Sequence, residues 1–349
     1  MKLHEFKYLF AYIVPVTALW SMYVAGYWSF YPLIFIFGII PILELFMKGT
    51  EENLPPDAED KYKTFNVLDY LLWVNVPLQY VTLAYYLYSV SYRNLEIYEI
   101  VGISLGMGIL CGSQGINVAH ELGHRNNKWE QFLSKSLLLT SLYMHFFIEH
   151  NRGHHKNVST PNDPATARYG ENLYAFWFRS VKDSWLSAWE LEAQRLEKQG
   201  QKVYTWKNEM LRFQIIQLCF IALIGIIFSW KAIFFFIIVA TMGFLLLETV
   251  NYVEHYGLMR KEIQPNIYER VMPHHSWNSN HSLGRILLYE LTRHSDHHYL
   301  ASRKYPVLRH FEQAPQLPSG YPAMMVLSLI PPLWFAVMNK QLQQMGVSA

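Results

Sequence analysis

The sequence predicts an all-α integral membrane protein: six transmembrane helices, with a helical cap gathered on one face of the bilayer. Three observations lead there. Of 349 residues, 52% are hydrophobic and only 16% charged, whereas a soluble domain carries about a quarter charged residues. Six apolar stretches reach the roughly 20 residues that a helix needs to cross the hydrocarbon. The basic residues, finally, avoid the short connections between those stretches.

The spans fall at about 9–26, 28–47, 68–90, 97–119, 211–230 and 232–253. The first has few basic residues before it and no small-residue cleavage site after it, so it is read as a retained span rather than a leader. Spans one and two are joined by almost nothing, three and four by Ser91 to Glu96, five and six by Ser229, Trp230 and Lys231. These tight hairpins lie on one side. The other side receives 48–67, 120–210 and 254–349, and the short connections carry only Arg93 and Lys231 as basic residues. The positive-inside rule therefore makes the long segments and both termini cytoplasmic, in a single membrane-embedded domain over residues 1–349.

Span four carries Gly102, Gly106, Gly108, Gly112 and Gly115, small residues that suit close helix approach in lipid. A channel leading to His120 is the other use of that space. Gln114 and Asn117, polar and near the end of the span, should face protein. The apolar run from Gln131 to Phe147 is expected to pack at the cytoplasmic side or interface without crossing. Residues 171–207 read as amphipathic surface helices, and Met324 to Val337, broken by Pro331 and Pro332, is too short and interrupted to span.

The chemistry lies in the histidines. His120 and His124 stand four residues apart in His-Glu-Leu-Gly-His, and His150, His154 and His155 repeat that spacing with one more neighbour. His255 follows span six, and His294, His297 and His298 close the set at i, i+3 and i+4, predicted to share one helix face. Imidazole is a common ligand of iron, zinc, copper and nickel. Nine candidates are too many for one ion and suit two. By itself, the first motif reads as a zinc metalloprotease signal with Glu121 as base, but such a site needs only one further ligand. Metal-bound imidazoles usually donate their second N–H to a carboxylate or carbonyl. Glu254 and Asp296, beside candidate ligands, suit that role, with Glu121, Glu149, Asp163 and Glu248 also near. Glu44, an acid inside span two, is a supporting or structural candidate. His274, His275 and His281 are ligands, supporting residues or surface residues, while His4, His145 and His310 read as ordinary core or surface residues.

Other classes are disfavoured. The net charge of +2 gives no argument for nucleic acid. The two cysteines, Cys111 and Cys219, form no CxxC pair, so the chain cannot build its own rubredoxin-like or ferredoxin-like centre. It also lacks a GxGxxG dinucleotide fingerprint.

Taken together, the motifs resemble those of the integral-membrane alkane 1-monooxygenases, within the wider superfamily of histidine-box desaturases and hydroxylases. The resemblance rests on residues 120–125, 149–155, 161–166, 251–258, 273–281 and 291–298, and spans most of the chain. His-Tyr-Gly at 255–257 tilts it toward the alkane hydroxylases. The resemblance implies that His120, His124, His150, His154, His155, His255, His294, His297 and His298 bind two non-haem iron ions. It further implies terminal hydroxylation of n-alkanes with O2, and electrons from rubredoxin and its NAD(P)H-dependent reductase. The setting would be a bacterial inner membrane. Apolar residues such as Ile36, Phe37 and Leu110 would set chain length, and Arg152, Lys156 and Arg168 could dock an acidic rubredoxin. Rival readings are a xylene-type methyl monooxygenase or lipid desaturase of the same superfamily, an intramembrane zinc protease, and a non-catalytic metal transporter or sensor.

Overall fold

The computed structural model describes residues 3–47, 49–64 and 66–347, with the side chain of His4 outside those described. It is mostly helical. Among the described residues, four helical segments are long and apolar enough to cross a membrane: Gly26–Phe46, Ile97–Gly123, Glu209–Ile227 and Trp230–His255. Of the two other expected spans, 68–90 lies in the 26-residue helix Val67–Tyr92, which has the length but buries Asp69, Asn75 and Gln79. The stretch 9–26 runs from a 3-10 turn into the 12-residue helix Ile13–Val24.

The chain divides into two compact units. Unit 1 comprises Met1–Ile36, Val67–Arg152 and Trp185–Leu247, and unit 2 comprises Phe37–Asn66, Gly153–Ser184 and Glu248–Ala349.

In unit 1, Glu96 and Glu99 form a capping box at the start of helix Ile97–Leu110, satisfying donors that helical bonding leaves open. The glycines of this segment serve packing. A Cβ on Gly102 would lie 2.2 Å from the Ser29 hydroxyl, and one on Gly112 would lie 2.8 Å from Leu246. Gln114 and Asn117 are buried, as polar groups in a span should be. Helix Lys128–Leu139, begun by the Asn127 cap on the Trp129 N–H, is too short to cross. It lies against the helix Asn117–Gly123, where Ser134 donates to the Ala119 carbonyl at 2.6 Å.

A buried ion network also holds unit 1. Glu192 is paired with Arg195 and Arg152 and accepts the Glu209 N–H at 2.8 Å. Burial alone would raise its carboxyl. The hydrogen bonds from Arg195, Glu209 and Arg152 outweigh that and hold it down to about 2. The network thus stabilises fully above about 4.5, and that contribution is lost as pH falls toward about 2. Glu192→Gln is therefore expected to cost on the order of 2–3 kcal/mol near neutral pH. The gap between variant and wild type, followed by thermal unfolding in detergent, should narrow steadily below about pH 4.5. A gap unchanged down to pH 3 would contradict this account.

In unit 2, the expected break at Pro331 separates helix Tyr321–Ser328 from Pro331–Gln344. One departure from the all-α expectation occurs among the described residues. Strands Glu262–Gln264 and Ile267–Tyr268 pair antiparallel. Pro265 and Asn266 turn the chain, Asn266 adopting φ 59°, which asparagine tolerates better than most residues. Glu44 meets backbone of its own unit. Its Oε1 accepts the Gly284 N–H at 2.7 Å, at the start of helix Ser282–Leu287. Its Oε2 occupies the space where a Cβ on Gly320 would be, so Gly320 permits the approach.

Candidate metal centre

Helix geometry presents the first two imidazoles. Helix Asn117–Gly123 carries His120, and His124 follows as its C-cap, so four-residue spacing puts both rings on one side. Their Nε2 atoms lie 3.3 Å apart. His150 joins them, its Nε2 at 3.1 Å from that of His124, and Phe146 stacks on its ring at 4.6 Å. Unit 1 therefore holds three convergent imidazoles.

Unit 2 holds a four-membered set: His154, His255, His294 and His298, all buried. His255 ends the helix Trp230–His255, and helix His294–Tyr299 supplies the other pair. Nε2 separations are 3.2 Å for His154 and His298, 2.8 Å for His298 and His294, and 3.1 Å for His294 and His255. Glu254 Oε2 lies 3.2 Å from the His294 Nε2, and its Oε1 accepts the Tyr321 hydroxyl at 2.8 Å. His155 and His297 face each other, also through Nε2 at 3.1 Å.

This donor set fits a metal ion. Ligand nitrogens bound at about 2.0–2.1 Å in tetrahedral to octahedral geometry stand roughly 2.8–3.4 Å apart, the spacing seen in both sets. Neutral imidazoles turning their Nε2 atoms on one another cannot all satisfy them mutually, whereas a cation at the convergence point can. Burial first, then the neighbouring imidazoles, hold His298 well below its ordinary pKa, keeping it in the neutral, ligating form.

The His294, His297 and His298 run divides instead of sharing one face. His294 and His298, four apart, converge, while His297 turns to His155. Asp296 also departs from its expected role as an imidazole orienter. Two residues past His294, it points to the opposite side of the helix, where it pairs with Arg303 and accepts the Arg309 N–H at 2.8 Å. Asp163 takes the orienting role. Its oxygens lie 3.1 and 3.0 Å from the His154 Nδ1, and one accepts the Thr166 hydroxyl at 2.5 Å. Burial would raise the Asp163 carboxyl, but the facing His154 prevails and lowers it. In the sequence Asp163 is marked only as a carboxylate near the candidate ligands. Its position in Pro-Asn-Asp-Pro, a turn nine residues beyond His154, was the available signal.

Glu121, the base of the protease reading, is engaged by Arg125 at 2.5 Å, and Arg125 also reaches Asp69 at 3.6 Å. His145 is a buried core residue against the Tyr143 ring at 4.2 Å, its pKa lowered to about 3 by burial.

Apolar helices able to cross a membrane, together with sets of convergent imidazoles able to hold metal, define a membrane protein with a candidate histidine metal centre. Comparison with known proteins narrows the class. The fatty acid desaturase profile matches residues 98–328. The chain is 38% identical to an alkane 1-monooxygenase of Pseudomonas putida over 331 residues, covering 93% of this chain and 81% of that protein. It is 36% identical to alkane 1-monooxygenase 2 of Alcanivorax borkumensis over 352 residues, covering 98% and 92%. Similarity to the hydroxylase component of the Pseudomonas putida xylene/toluene monooxygenase is lower, 27% over 342 residues. The chain belongs to the fatty acid desaturase family, in its alkane 1-monooxygenase branch.

Proposed function

We propose that this enzyme hydroxylates the terminal methyl of medium- or long-chain n-alkanes to 1-alkanols, using O2, two non-haem iron ions and electrons from rubredoxin. One observation carries the reading: three imidazoles within unit 1, and separately four within unit 2, turn their Nε2 atoms on members of their own set at 2.8–3.3 Å. The likeness to alkane 1-monooxygenases supports the substrate class. In this reading His154, His255, His294 and His298 hold one ion. His120, His124 and His150 in unit 1 serve the other, and His155 and His297 in unit 2 complete the nine proposed ligands. Iron so held supplies the one-electron O2 chemistry that an unactivated C–H bond requires.

The chain's own residues bind, orient and exclude. Asp163 fixes the His154 ring so that Nε2 remains the ligating atom. Glu254, beside the His294 Nε2, adds a carboxylate within reach of the unit 2 set. An alkane offers no polar handle, so apolar walls must select it by shape. Ile36 and Leu110, both buried in unit 1, are proposed to limit chain length with Phe37. Lys156 and Arg168 are exposed and suit docking of an acidic electron carrier, whereas Arg152 is already paired with Glu192 and Glu209. Six spans in a bacterial inner membrane, with the histidines and both termini on the cytoplasmic side, complete the proposal.

The test is metal analysis of the detergent-purified protein together with an octane assay containing rubredoxin, its reductase and NADH. Two irons per chain, 1-octanol as product, and no turnover without rubredoxin are expected. One zinc and no octanol would overturn the proposal. Preferential oxidation of xylene or desaturation of an acyl chain would move the enzyme to a sister activity.

A further inference from the structure

The geometry points to an anionic-lipid contact in unit 1: the loop 199–207 sets Tyr204 and Trp206 into the bilayer interface and lays Lys198 and Lys202 on the headgroups of negatively charged phospholipids. The loop leads directly into helix Glu209–Ile227, which is long and apolar enough to span a membrane and has only 17% of its apolar stretch buried. Lipid must cover most of that helix, and the loop stands where the covering ends.

Two large aromatics project from the loop, Tyr204 at 86% exposure and Trp206 at 67%. Their exposure is built in, because the backbone beneath them is held. Gly200 turns the chain at φ 66°, and the Gln201 N–H donates to the Leu196 carbonyl at 2.9 Å. Arg195, already paired with Glu192, donates to the Lys207 carbonyl at 2.9 Å. The Asn208 amide donates to the Val203 carbonyl at 3.0 Å, while its Oδ1 caps the span by accepting the Leu211 N–H at 3.0 Å. The loop's polar groups are thus spent inward and its rings face out. Tyr and Trp suit the membrane–water boundary because each joins an apolar ring to a polar tip.

Charge selects the lipid. Between residues 195 and 207, Arg195, Lys198, Lys202 and Lys207 stand against a single acid, Glu197. Arg195 is committed to Glu192, and the Lys207 ammonium donates to Gln201 at 2.9 Å. Lys198 and Lys202 are exposed on stems long enough to lie along apolar surface while their ammonium groups reach phosphate. A second element at this end also shows aromatics. Trp129 and Phe132, half or more exposed and stacked at 5.5 Å, lie on helix Lys128–Leu139, which Lys135 ties to Glu209 at 2.5 Å. A protein partner could meet the same loop, but continuity with a lipid-covered helix favours the bilayer.

The test reads Trp206 in full-length protein in nanodiscs. Its emission is the difference between wild type and Trp206→Phe, an exposed change that removes one of 11 tryptophans. Phosphatidylcholine brominated on its upper acyl carbons should quench that emission. At equal low mole fraction in a phosphatidylcholine background, brominated phosphatidylglycerol should quench it more strongly than brominated phosphatidylcholine. In the double variant Lys198→Gln, Lys202→Gln, enrichment of the anionic lipid around Trp206 should fall roughly fivefold or more. Trp206 emission equally bright in brominated and ordinary bilayers would overturn the proposal and leave the loop to a protein partner. Equal quenching by the two brominated lipids in wild type would overturn the anionic selection. The readout needs neither iron nor substrate, so its failure is distinguishable from failure of the proposed function.

Discussion

His294→Ala is expected to abolish hydroxylation and remove at least one iron per chain while the protein still inserts in the membrane. His294 is central to the unit 2 set: its Nε2 is 2.8 Å from that of His298, 3.1 Å from that of His255, and 3.2 Å from Glu254 Oε2. Loss of a supporting residue around a metal typically weakens binding about 10–100-fold, and loss of a ligand should exceed that. Deleting the ring also leaves a small buried void, which lowers stability on the order of 1–3 kcal/mol. Metal loss and instability are separable. His294→Gln preserves most of the volume, so it should fold like wild type and remain inactive. More than a few per cent of wild-type turnover with full iron content in either variant would exclude His294 from the centre.

Asp163→Asn should lower iron affinity about 10–100-fold and kcat with it, leaving the fold intact. The carboxylate holds the His154 Nδ1 at 3.0 Å and fixes which nitrogen carries the proton. An amide of the same shape cannot impose that tautomer, because it presents either its oxygen or its NH2. Thr166→Ala removes a methyl and the hydroxyl that donates to Asp163 and accepts the Ser159 N–H, but it leaves the carboxylate on His154, so its effect on iron affinity should be several-fold smaller. Equilibrium iron titration of both variants, with rates measured at saturating iron, separates lost affinity from lost turnover. Identical affinities for Asp163→Asn and wild type would mean that Asp163 has only a packing role.

What could be read from the chain, and what could not, divides by the range of the interaction. His120 and His124, or His294 and His298, were legible as pairs because four residues make about one helical turn whatever lies around the helix. Span-forming segments such as Trp230–His255 were legible because lipid selects on length and apolarity alone. The hairpin at Glu262–Tyr268 was not. Its strands are three and two residues long, too short for alternation to register, and its turn signal is only Pro265 and Asn266.

Longer-range choices were hidden for a different reason. His297 leaves its helix neighbours for His155, 142 positions earlier. Glu44, a supporting or structural candidate by its place in a span, meets Gly284, 240 positions away. Asp296 stands among ligands in sequence yet faces Arg303, because two residues along a helix turn a side chain to the opposite face. The sequence by itself determined the helical class, four of the six expected apolar spans and the imidazole pairs, since each follows from periodicity or composition within a few turns. Only the tertiary structure decided how those pairs group and which carboxylate turns toward which ring. Such contacts join residues far apart in the chain, and local spacing carries no information about them.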